Sequence, residues 1–255
     1  MIKRKTAREI EIMRRAGNIA AAARLEAGKM VRVGATTLSI NKKLHEFITA
    51  RGAVPAFLGY RGYPASVCIS VNEQVIHGIP SPRKLIEGDV VSIDVGVVKD
   101  GYIGDCAATF IAGKGSTDAE RLIKITQECF YEGLRFARVG FRVSDISRAI
   151  QQFAESNGYS VVREYVGHGV GKKVHEPPEV PNFIEHPRKK ADPRLLPGMT
   201  LAIEPMVNAG KAGIKVLDDG WTVVTIDGRA SAHYENTVLI TDDVPEILTV
   251  YEGVP

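Results

Sequence analysis

The chain has 255 residues, 44% of them hydrophobic and 25% charged, and its formal net charge at pH 7 is +3. This composition is typical of a globular protein and excludes the disordered, collagen-like and low-complexity classes. The length permits one large domain or two small ones with a substantial core. The mild positive charge permits weak attraction to polyanions such as ribosomal RNA, but it does not argue for a nucleic-acid-binding protein.

The cysteines and the N-terminal segment indicate a cytoplasmic protein. Three cysteines, Cys68, Cys106 and Cys129, are an odd number without CxxC spacing, which is typical of reduced thiols rather than a disulfide scaffold. The basic N-terminal segment lacks the apolar run of a signal peptide. No stretch approaches the roughly 18 apolar residues of a transmembrane helix. We therefore expect no membrane association.

Two helices are predicted at the start of the chain. The first covers residues 7–27, with a capping-box pattern at Thr6 and Glu9 and an end near Gly28. The second lies within residues 31–52, where apolar residues recur near helical spacing. These apolar positions are Leu38, Ile40, Leu44, Phe47 and Ile48.

A β-hairpin is predicted over residues 90–110. The Asp-Gly pair at residues 100–101 is the turn signal. If these two residues form the loop, Asp94 lies opposite Ala107. Asp105 is then a diagonal neighbour of Asp94 on the same face of the hairpin.

Two segments of the chain recur later in the same order. Residues 137–158 repeat residues 31–52 at an offset of 106. Residues 195–205 repeat residues 85–95 at an offset of 110. A helix predicted over residues 118–137 precedes the second copy, as the N-terminal helix precedes the first.

The recurrence predicts a single domain over residues 1–255 with pseudo-symmetric halves at roughly 7–110 and 118–240. Two long repeats are too few for a solenoid. Coincidence between common turns and amphipathic helices is the alternative. In both halves an apolar strand is predicted to end on an acid, Asp94 or Glu204. Around a pseudo-twofold axis these two acids would converge.

Four carboxylates interrupt otherwise apolar strand patterns: Asp94, Asp105, Glu204 and Glu235. Burying such groups without a counter-charge is costly, and neighbouring like charges repel. No Lys or Arg lies in these strand cores, because Lys99 and Arg229 fall in turns. A metal supplies the missing charge most simply. Four carboxylates suit a pair of divalent ions bridged by shared oxygens.

The histidines divide into candidates and ordinary polar residues. His168 lies between glycines that allow close backbone approach, and the four acids favour it as a nitrogen ligand over a structural histidine. His77 and His175 are either ordinary loop residues or hydrogen-bond donors to a developing oxyanion or the scissile amide. His45 and His186 are assigned to the ordinary polar class. Glu46 and Glu176 are expected to be surface acids.

Six motifs resemble one family closely: GYPASVCISVNEQVIHGIP, IDVGVVKDGYIGDCAATF, GHGVGKKVHEPP, PGMTLAIEPMVNAG, DGWTVVT and YENTVLIT. Over nearly the whole chain the sequence resembles the type I methionine aminopeptidases of the pita-bread fold. The 36-residue spacing from His168 to Glu204 is similar to type I rather than type II. The resemblance implies an α+β fold of pseudo-twofold αβ halves, with a central antiparallel sheet and a dinuclear metal site between them.

The resemblance also implies the roles of particular residues. Two divalent metal ions would be held by five ligands: Asp94, Asp105, His168, Glu204 and Glu235. His77 and His175 would contact substrate. From its place at a strand end among the ligands, Glu204 is expected to act as the general base as well. The methionine pocket would be lined by Tyr60, Tyr63, Cys68 and Trp221. This ligand set accepts Mn²⁺, Fe²⁺, Co²⁺ or Zn²⁺ and does not choose among them.

Three features depart from the family pattern. Val174 stands where many members carry Phe, so one pocket wall is expected to be less aromatic. The segment 182–195 matches poorly. His233 stands where Gln is usual, and it is either a group that supports the ligands or an extra donor.

The implied activity is that of a metallo-aminopeptidase, a hydrolase that removes the N-terminal methionine from nascent proteins and peptides. Metal-activated hydroxide would attack the first peptide bond, and a small second residue would be preferred. The expected partners are peptide or nascent-chain N-termini, the expected state is a monomer, and transient ribosome association is left open. The alternatives are an Xaa-Pro peptidase on the same fold and a non-catalytic pita-bread protein that binds a partner. Proteins of the latter kind typically lose metal ligands.

Overall fold

A computed structural model describes residues 2–184 and 192–251 of the chain. His186 and much of the poorly matching segment 182–195 lie outside these residues. The helices are α1 (Ala7–Met30), α2 (Thr37–Thr49), α3 (Thr117–Leu134) and α4 (Val143–Ser156), with a 3₁₀ turn at Tyr60–Gly62. The strands are β1 (Val54–Pro55), β2 (Cys68–Val71), β3 (Gln74–Ile76), β4 (Val90–Lys99), β5 (Tyr102–Ile111), β6 (Ser160–Val161), β7 (Gly167–Gly169), β8 (Glu176–Val180), β9 (Thr200–Ile203), β10 (Met206–Asn208), β11 (Ile214–Val216), β12 (Val223–Thr225), β13 (Ser231–His233), β14 (Glu235–Leu239) and β15 (Glu246–Ile247).

Helix α1 begins with the predicted capping box. The Thr6 hydroxyl accepts from the Glu9 backbone N–H at 3.4 Å, and the Glu9 carboxylate accepts from the Thr6 backbone N–H at 2.8 Å. The helix continues past Gly28 to Met30, because Gly28 provides room for the ring of Phe110 rather than ending the helix. Among the helices in residues 2–184 and 192–251, none is long and apolar enough to cross a membrane.

The central sheet is antiparallel and runs in the order β1–β4–β5–β14–β9–β7–β8. Strand β2 pairs with β4, and β15 pairs with β14. Two smaller sheets have the orders β13–β10–β6 and β11–β12–β3. The central pair of strands, β5 and β14, joins the first half of the chain to the second.

Strands β4 and β5 form the predicted hairpin. Lys99 pairs with Tyr102 around the two-residue loop, whose residues Asp100 and Gly101 have φ angles of 50° and 79°. Positive φ at both positions is the requirement of a type I′ turn, which Asp-Gly satisfies. Asp94 pairs with Ala107, so the predicted register is confirmed.

The prediction that both acids end a strand is correct for only one of them. Glu204 directly follows β9, which ends at Ile203. Asp94 instead lies inside β4, which continues to Lys99. The outer edge of β4 changes partner here: Asp94 pairs with Cys68 of β2, and from Val97 onward the partner is β1. A second edge partner therefore extends the strand beyond the acid.

The two halves make equivalent backbone contacts. Thr36 forms an isolated bridge with Lys84. Arg142 forms the matching bridge with Arg194, at the residue offsets of 106 and 110 seen in the sequence. The neighbouring hydrogen bonds also repeat, from Leu85 N to Ala35 O at 2.8 Å and from Leu195 N to Phe141 O at 2.9 Å.

The helices cover one face of the central sheet. Ile93 and Val95 pack in the apolar cluster that includes α1 and α2, and Ile203 packs in the cluster that includes α3 and α4. Because side chains alternate along a strand, Asp94 points to the opposite face. Glu204 is the residue after Ile203, so its side chain also points to the opposite face. The acids therefore share the face of the sheet that the helices leave open.

Candidate active site

Three adjacent strands each place one carboxylate on the open face. Asp94 of β4 and Glu235 of β14 both pair with Ala107, from opposite sides of β5. Asp105 lies two residues before Ala107 and therefore on the same face. Asn236 pairs with Ile203 of β9, which places Glu204 beside Glu235. Strand register alone thus brings all four acids together, as predicted.

Some oxygens of these carboxylates are buried and have no hydrogen-bond partner among the described residues. These atoms are Oδ1 of Asp94, Oδ1 of Asp105 and Oε1 of Glu235. Burial raises the pKa of Asp105 to about 7. Burial, with repulsion from neighbouring acids, raises the pKa of Asp94, Glu204 and Glu235 well above the usual range. In residues 2–184 and 192–251, no Lys or Arg forms an ion pair with any of the four.

His168 presents one ring nitrogen to the acids. Its Nδ1 lies 3.0 Å from the Gly169 carbonyl, which only accepts, so Nδ1 carries the proton. Nε2 is left with its lone pair and lies 3.3 Å from Glu204 Oε1. Burial lowers the pKa of His168 to about 3, which keeps the ring neutral. A Cβ at Gly169 would lie 2.8 Å from the Glu176 carbonyl, so glycine is required by the close approach of β8.

His77 and His175 lie beside the carboxylate cluster. The His175 ring centroid is 4.2 Å from that of His168, and the Tyr60 hydroxyl is 2.8 Å from His175 Nδ1. The His77 ring packs edge-on at 6.1 Å from Trp221. His77 has a φ of 58°, a left-handed conformation of the kind that clusters at functional sites. Burial lowers the pKa of His77 to about 4 and also lowers that of His175.

The four predicted pocket residues belong to one apolar cluster, with Val174 among them. The buried Tyr63 packs edge-on against Trp221 with centroids 5.1 Å apart, and its hydroxyl donates to the Gly78 carbonyl at 2.9 Å. Cys68 of β2 pairs directly with Asp94. The apolar cluster therefore adjoins the carboxylates along the β2–β4 ladder.

His233 also points among the acids. Its Nε2 is buried, has no hydrogen-bond partner in the described part of the chain, and lies 3.7 Å from one oxygen each of Glu204 and Glu235. In the described ranges, 2–184 and 192–251, two groups of side chains have ligand atoms that all lie within 4.8 Å of one another. These groups are Asp94, His233 and Glu235, and Asp105, His168 and Glu235.

Comparison with known proteins identifies the family. The chain matches the family model for metallopeptidase family M24 over residues 11–242. The chain belongs to metallopeptidase family M24. A methionine aminopeptidase of Clostridium perfringens is 54% identical over 250 residues, covering 98% of this chain and 99% of the relative. Methionine aminopeptidase 1 of Bacillus subtilis is 49% identical, with coverage of 98% and 99%. The crystal structure of methionine aminopeptidase from Rickettsia prowazekii superposes with a TM-score of 0.94 at 40% identity, with coverage of 98% and 100%.

Membership of family M24 confirms the α+β pita-bread fold and the resemblance to methionine aminopeptidases read from the motifs. It also implies a divalent metal cofactor, and the side chains present here fit one. Several buried carboxylate oxygens here have no partner among the described residues. The imidazole nitrogens of His168 and His233 face these carboxylates, and burial lowers the pKa of both rings to about 3, so both are neutral. Mixed oxygen and nitrogen donors of this kind suit divalent transition metals.

One residue beside the M24 site was missed by the sequence reasoning. Asn182 is fully buried, and its Nδ2 donates to the Glu204 backbone carbonyl at 3.0 Å. This hydrogen bond fixes the chain where Glu204 leaves β9. Asn182 begins the segment 182–195, where the motifs match poorly, so no sequence signal pointed to it.

Glu176 is not the surface acid that we expected. Its carboxylate accepts from Lys5 Nζ at 2.8 Å in a pair whose side chains are 6% and 9% exposed. Its second oxygen accepts from the backbone N–H groups of Lys172 and Lys173 at 3.0 and 3.2 Å. Since Lys5 lies 171 residues earlier in the chain, nothing local to Glu176 indicates this contact.

Proposed function

We propose that the chain is a methionine aminopeptidase that removes the N-terminal methionine of peptides and nascent proteins and prefers a small second residue. The observation that carries this proposal is the apolar cluster beside the acids, in which Cys68 pairs with Asp94. An aromatic and sulfur-containing wall suits a thioether side chain. The names of the similar proteins from Clostridium perfringens and Bacillus subtilis support the same activity.

The metal ligands in this proposal are Asp94, Asp105, His168, Glu204 and Glu235. Glu235 belongs to both groups of converging ligand atoms, which supports two ions rather than one. Divalent ions held there would lower the pKa of a water molecule toward neutrality and polarise the first peptide carbonyl. Mn²⁺, Fe²⁺, Co²⁺ and Zn²⁺ all fit this donor set.

Glu204 is the proposed general base. Its side chain lies on the open face beside the nitrogen of His168, and Asn182 holds its backbone in place. A carboxylate fixed in this way accepts a proton from the attacking water without reorganisation. The proton can then pass to the leaving amide nitrogen.

His77 and His175 are the proposed donors to the substrate. Burial lowers the pKa of both rings, so each is neutral and has one N–H to donate at pH 7. A Tyr60 hydroxyl that donates to His175 Nδ1 leaves the proton of His175 on Nε2. Donors of this kind stabilise the negative charge that develops on the carbonyl oxygen.

A peptide panel tests the proposal. Chelated protein is reloaded with each of the four metals and given peptides that vary in residues one and two. We expect turnover of Met-Ala-Ser, loss of turnover when methionine is replaced, and slower turnover when the second residue is large. Cleavage of Ala-Pro peptides alone would instead indicate an Xaa-Pro peptidase. No metal and no peptidase activity after reloading would indicate a non-catalytic binding protein.

A further inference from the structure

The backbone of His233 is fixed on both sides. The Thr109 hydroxyl donates to the His233 carbonyl at 2.9 Å and accepts from the His233 N–H at 2.9 Å. The Ser92 hydroxyl is 2.8 Å from that of Thr109, which ties the contact to β4 and β5. Met206 pairs with His233 across the β10–β13 ladder. The backbone that carries the ring is therefore held in place before any ligand binds.

The Nε2 atom of His233 is buried away from solvent, and no described residue forms a hydrogen bond with it. The residue is 1% exposed, and Nε2 has no hydrogen-bond partner within residues 2–184 and 192–251. Its distances of 3.7 Å to the nearest oxygens of Glu204 and Glu235 are too long for hydrogen bonds. A group that served only to support a carboxylate would donate to it at about 2.9 Å. A buried polar atom without a partner requires another explanation.

The spacing matches that of ligands around an ion. With metal–ligand bonds of about 2.1 Å, opposite ligands lie about 4.2 Å apart and adjacent ones about 3 Å apart. His233 Nε2 lies 3.7 Å from Glu235 Oε2, between these two separations. The ligand atoms of Asp94, His233 and Glu235 all lie within 4.8 Å of one another, so shifts of a few tenths of an ångström complete the site.

We propose that His233 Nε2 is a sixth protein ligand, which binds the metal ion on the Asp94 side of the site. This inference rests on the dinuclear site of the proposed function. Each ion then has one imidazole, His168 on the Asp105 side and His233 on the Asp94 side, and Glu235 is common to both. Because imidazole suits Zn²⁺ and Co²⁺ better than Mn²⁺, the second site prefers the nitrogen-binding ions.

The test measures metal binding directly. Metal-free wild type, His233→Gln and His233→Leu are titrated with Co²⁺, Zn²⁺ and Mn²⁺ by calorimetry, and the visible absorption of bound Co²⁺ is recorded. The matched control is His45→Gln, since the His45 ring lies on α2 and bonds to Ser66 instead of the acids. The Leu variant offers no donor atom and keeps the test valid if the Gln oxygen itself binds metal or the Gln variant fails to fold.

We expect two ions to bind to wild type and to the control. In both His233 variants the weaker Zn²⁺ or Co²⁺ ion loses at least about tenfold in affinity, with a smaller loss for Mn²⁺. The number of imidazole ligands per zinc ion, measured by X-ray absorption of the zinc-loaded protein, should fall from about one to about one for every two zinc ions. Unchanged affinities and imidazole counts in both variants would overturn the role of His233 alone. A wild type that binds none of the three ions would overturn the proposed function with it.

Discussion

Lys5 and Glu176 form a buried ion pair that joins the start of the chain to the loop beside the candidate active site. Nζ of Lys5 lies 2.8 Å from Oε2 of Glu176. The other carboxylate oxygen accepts from the N–H groups of Lys172 and Lys173, so one acid holds both the segment before α1 and the turn that precedes His175. The position of His175 therefore depends on a residue near the N-terminus.

Replacing Lys5 by Met should destabilise the protein and slow catalysis. Removing one partner leaves a buried charge uncompensated, which typically costs about 3–5 kcal/mol. The free energy of unfolding, measured with urea, should fall by about that amount. The kcat for a methionyl peptide should fall as well, because the loop that holds His175 is no longer fixed.

Lys29→Met is the matched control for Lys5→Met. Lys29 pairs with Glu26 on the surface of α1, where the side chains are 70% and 37% exposed. Such pairs contribute less than about 1 kcal/mol. Equal losses of stability in the two variants would contradict a special role for the Lys5–Glu176 pair.

The features that were best predicted from the sequence are those that the pairing of neighbouring strands determines. The Asp-Gly turn sets the register of the hairpin, and the register places Asp94 opposite Ala107 and beside Asp105. The offsets of the repeat pointed to Glu204 as the counterpart of Asp94. The inferences about the hairpin need only a turn type and an alternation of side chains, which can be read from neighbouring residues. The inference about Glu204 needs only a comparison of two segments of the same chain.

Contacts between distant segments were not predictable in the same way. Glu176 was taken for a surface acid because Lys5 lies far from it in the chain. The continuation of β4 past Asp94 depends on a second edge strand, β1, and no pattern within β4 itself indicates that strand. The direction of the His233 ring follows from the pairing of β13 with β10 and from Thr109. These features are fixed by tertiary packing, which a single sequence does not display.

Replacing His168 by Ala should abolish peptidase activity while the fold is kept. The change removes the nitrogen that faces Glu204 at 3.3 Å and leaves the group on the Asp105 side with oxygens only. We expect kcat/KM to fall more than about a hundredfold, beyond the loss typical of groups that merely support a ligand. Circular dichroism should be unchanged. Near-wild-type activity would show that the site is wrongly assigned, and His45→Ala is the control.

His175→Ala and Tyr60→Phe should lower kcat by different amounts. Loss of a donor to the developing oxyanion lowers kcat by a factor of about 10²–10³. We therefore expect His175→Ala to lower kcat by about that factor with little change in KM. Tyr60→Phe removes only the hydroxyl 2.8 Å from His175 Nδ1. A lost hydrogen bond of about 0.5–1.5 kcal/mol predicts a decrease of about two- to twelvefold. A larger effect of Tyr60→Phe than of His175→Ala would contradict the proposed roles.

Once the metal is removed, the free energy of unfolding should decrease as the pH rises above about 6.5. The buried acids have raised pKa values in the folded chain, about 7 for Asp105, so the folded state holds more protons than the unfolded state from about pH 4 upward. The buried histidines have lowered pKa values, about 3 for His168 and about 4 for His77, so they act in the opposite direction up to their unfolded value of 6.5. The two sets oppose each other between about pH 4 and 6.5. Above that range only the acids continue to titrate, and the metal-free fold loses stability.

Thermal unfolding with and without chelator measures this effect. Bound metal stabilises deprotonated ligands, so its contribution grows as protons compete less. We expect the increase in Tm on adding Zn²⁺ or Mn²⁺ to chelated protein to be clearly larger at about pH 8 than at about pH 6. Asp105→Asn keeps the size of the side chain but removes one titrating acid, so its metal-free form should lose less stability over the same range. A metal-induced increase in Tm that is the same at both pH values would contradict buried, metal-binding carboxylates.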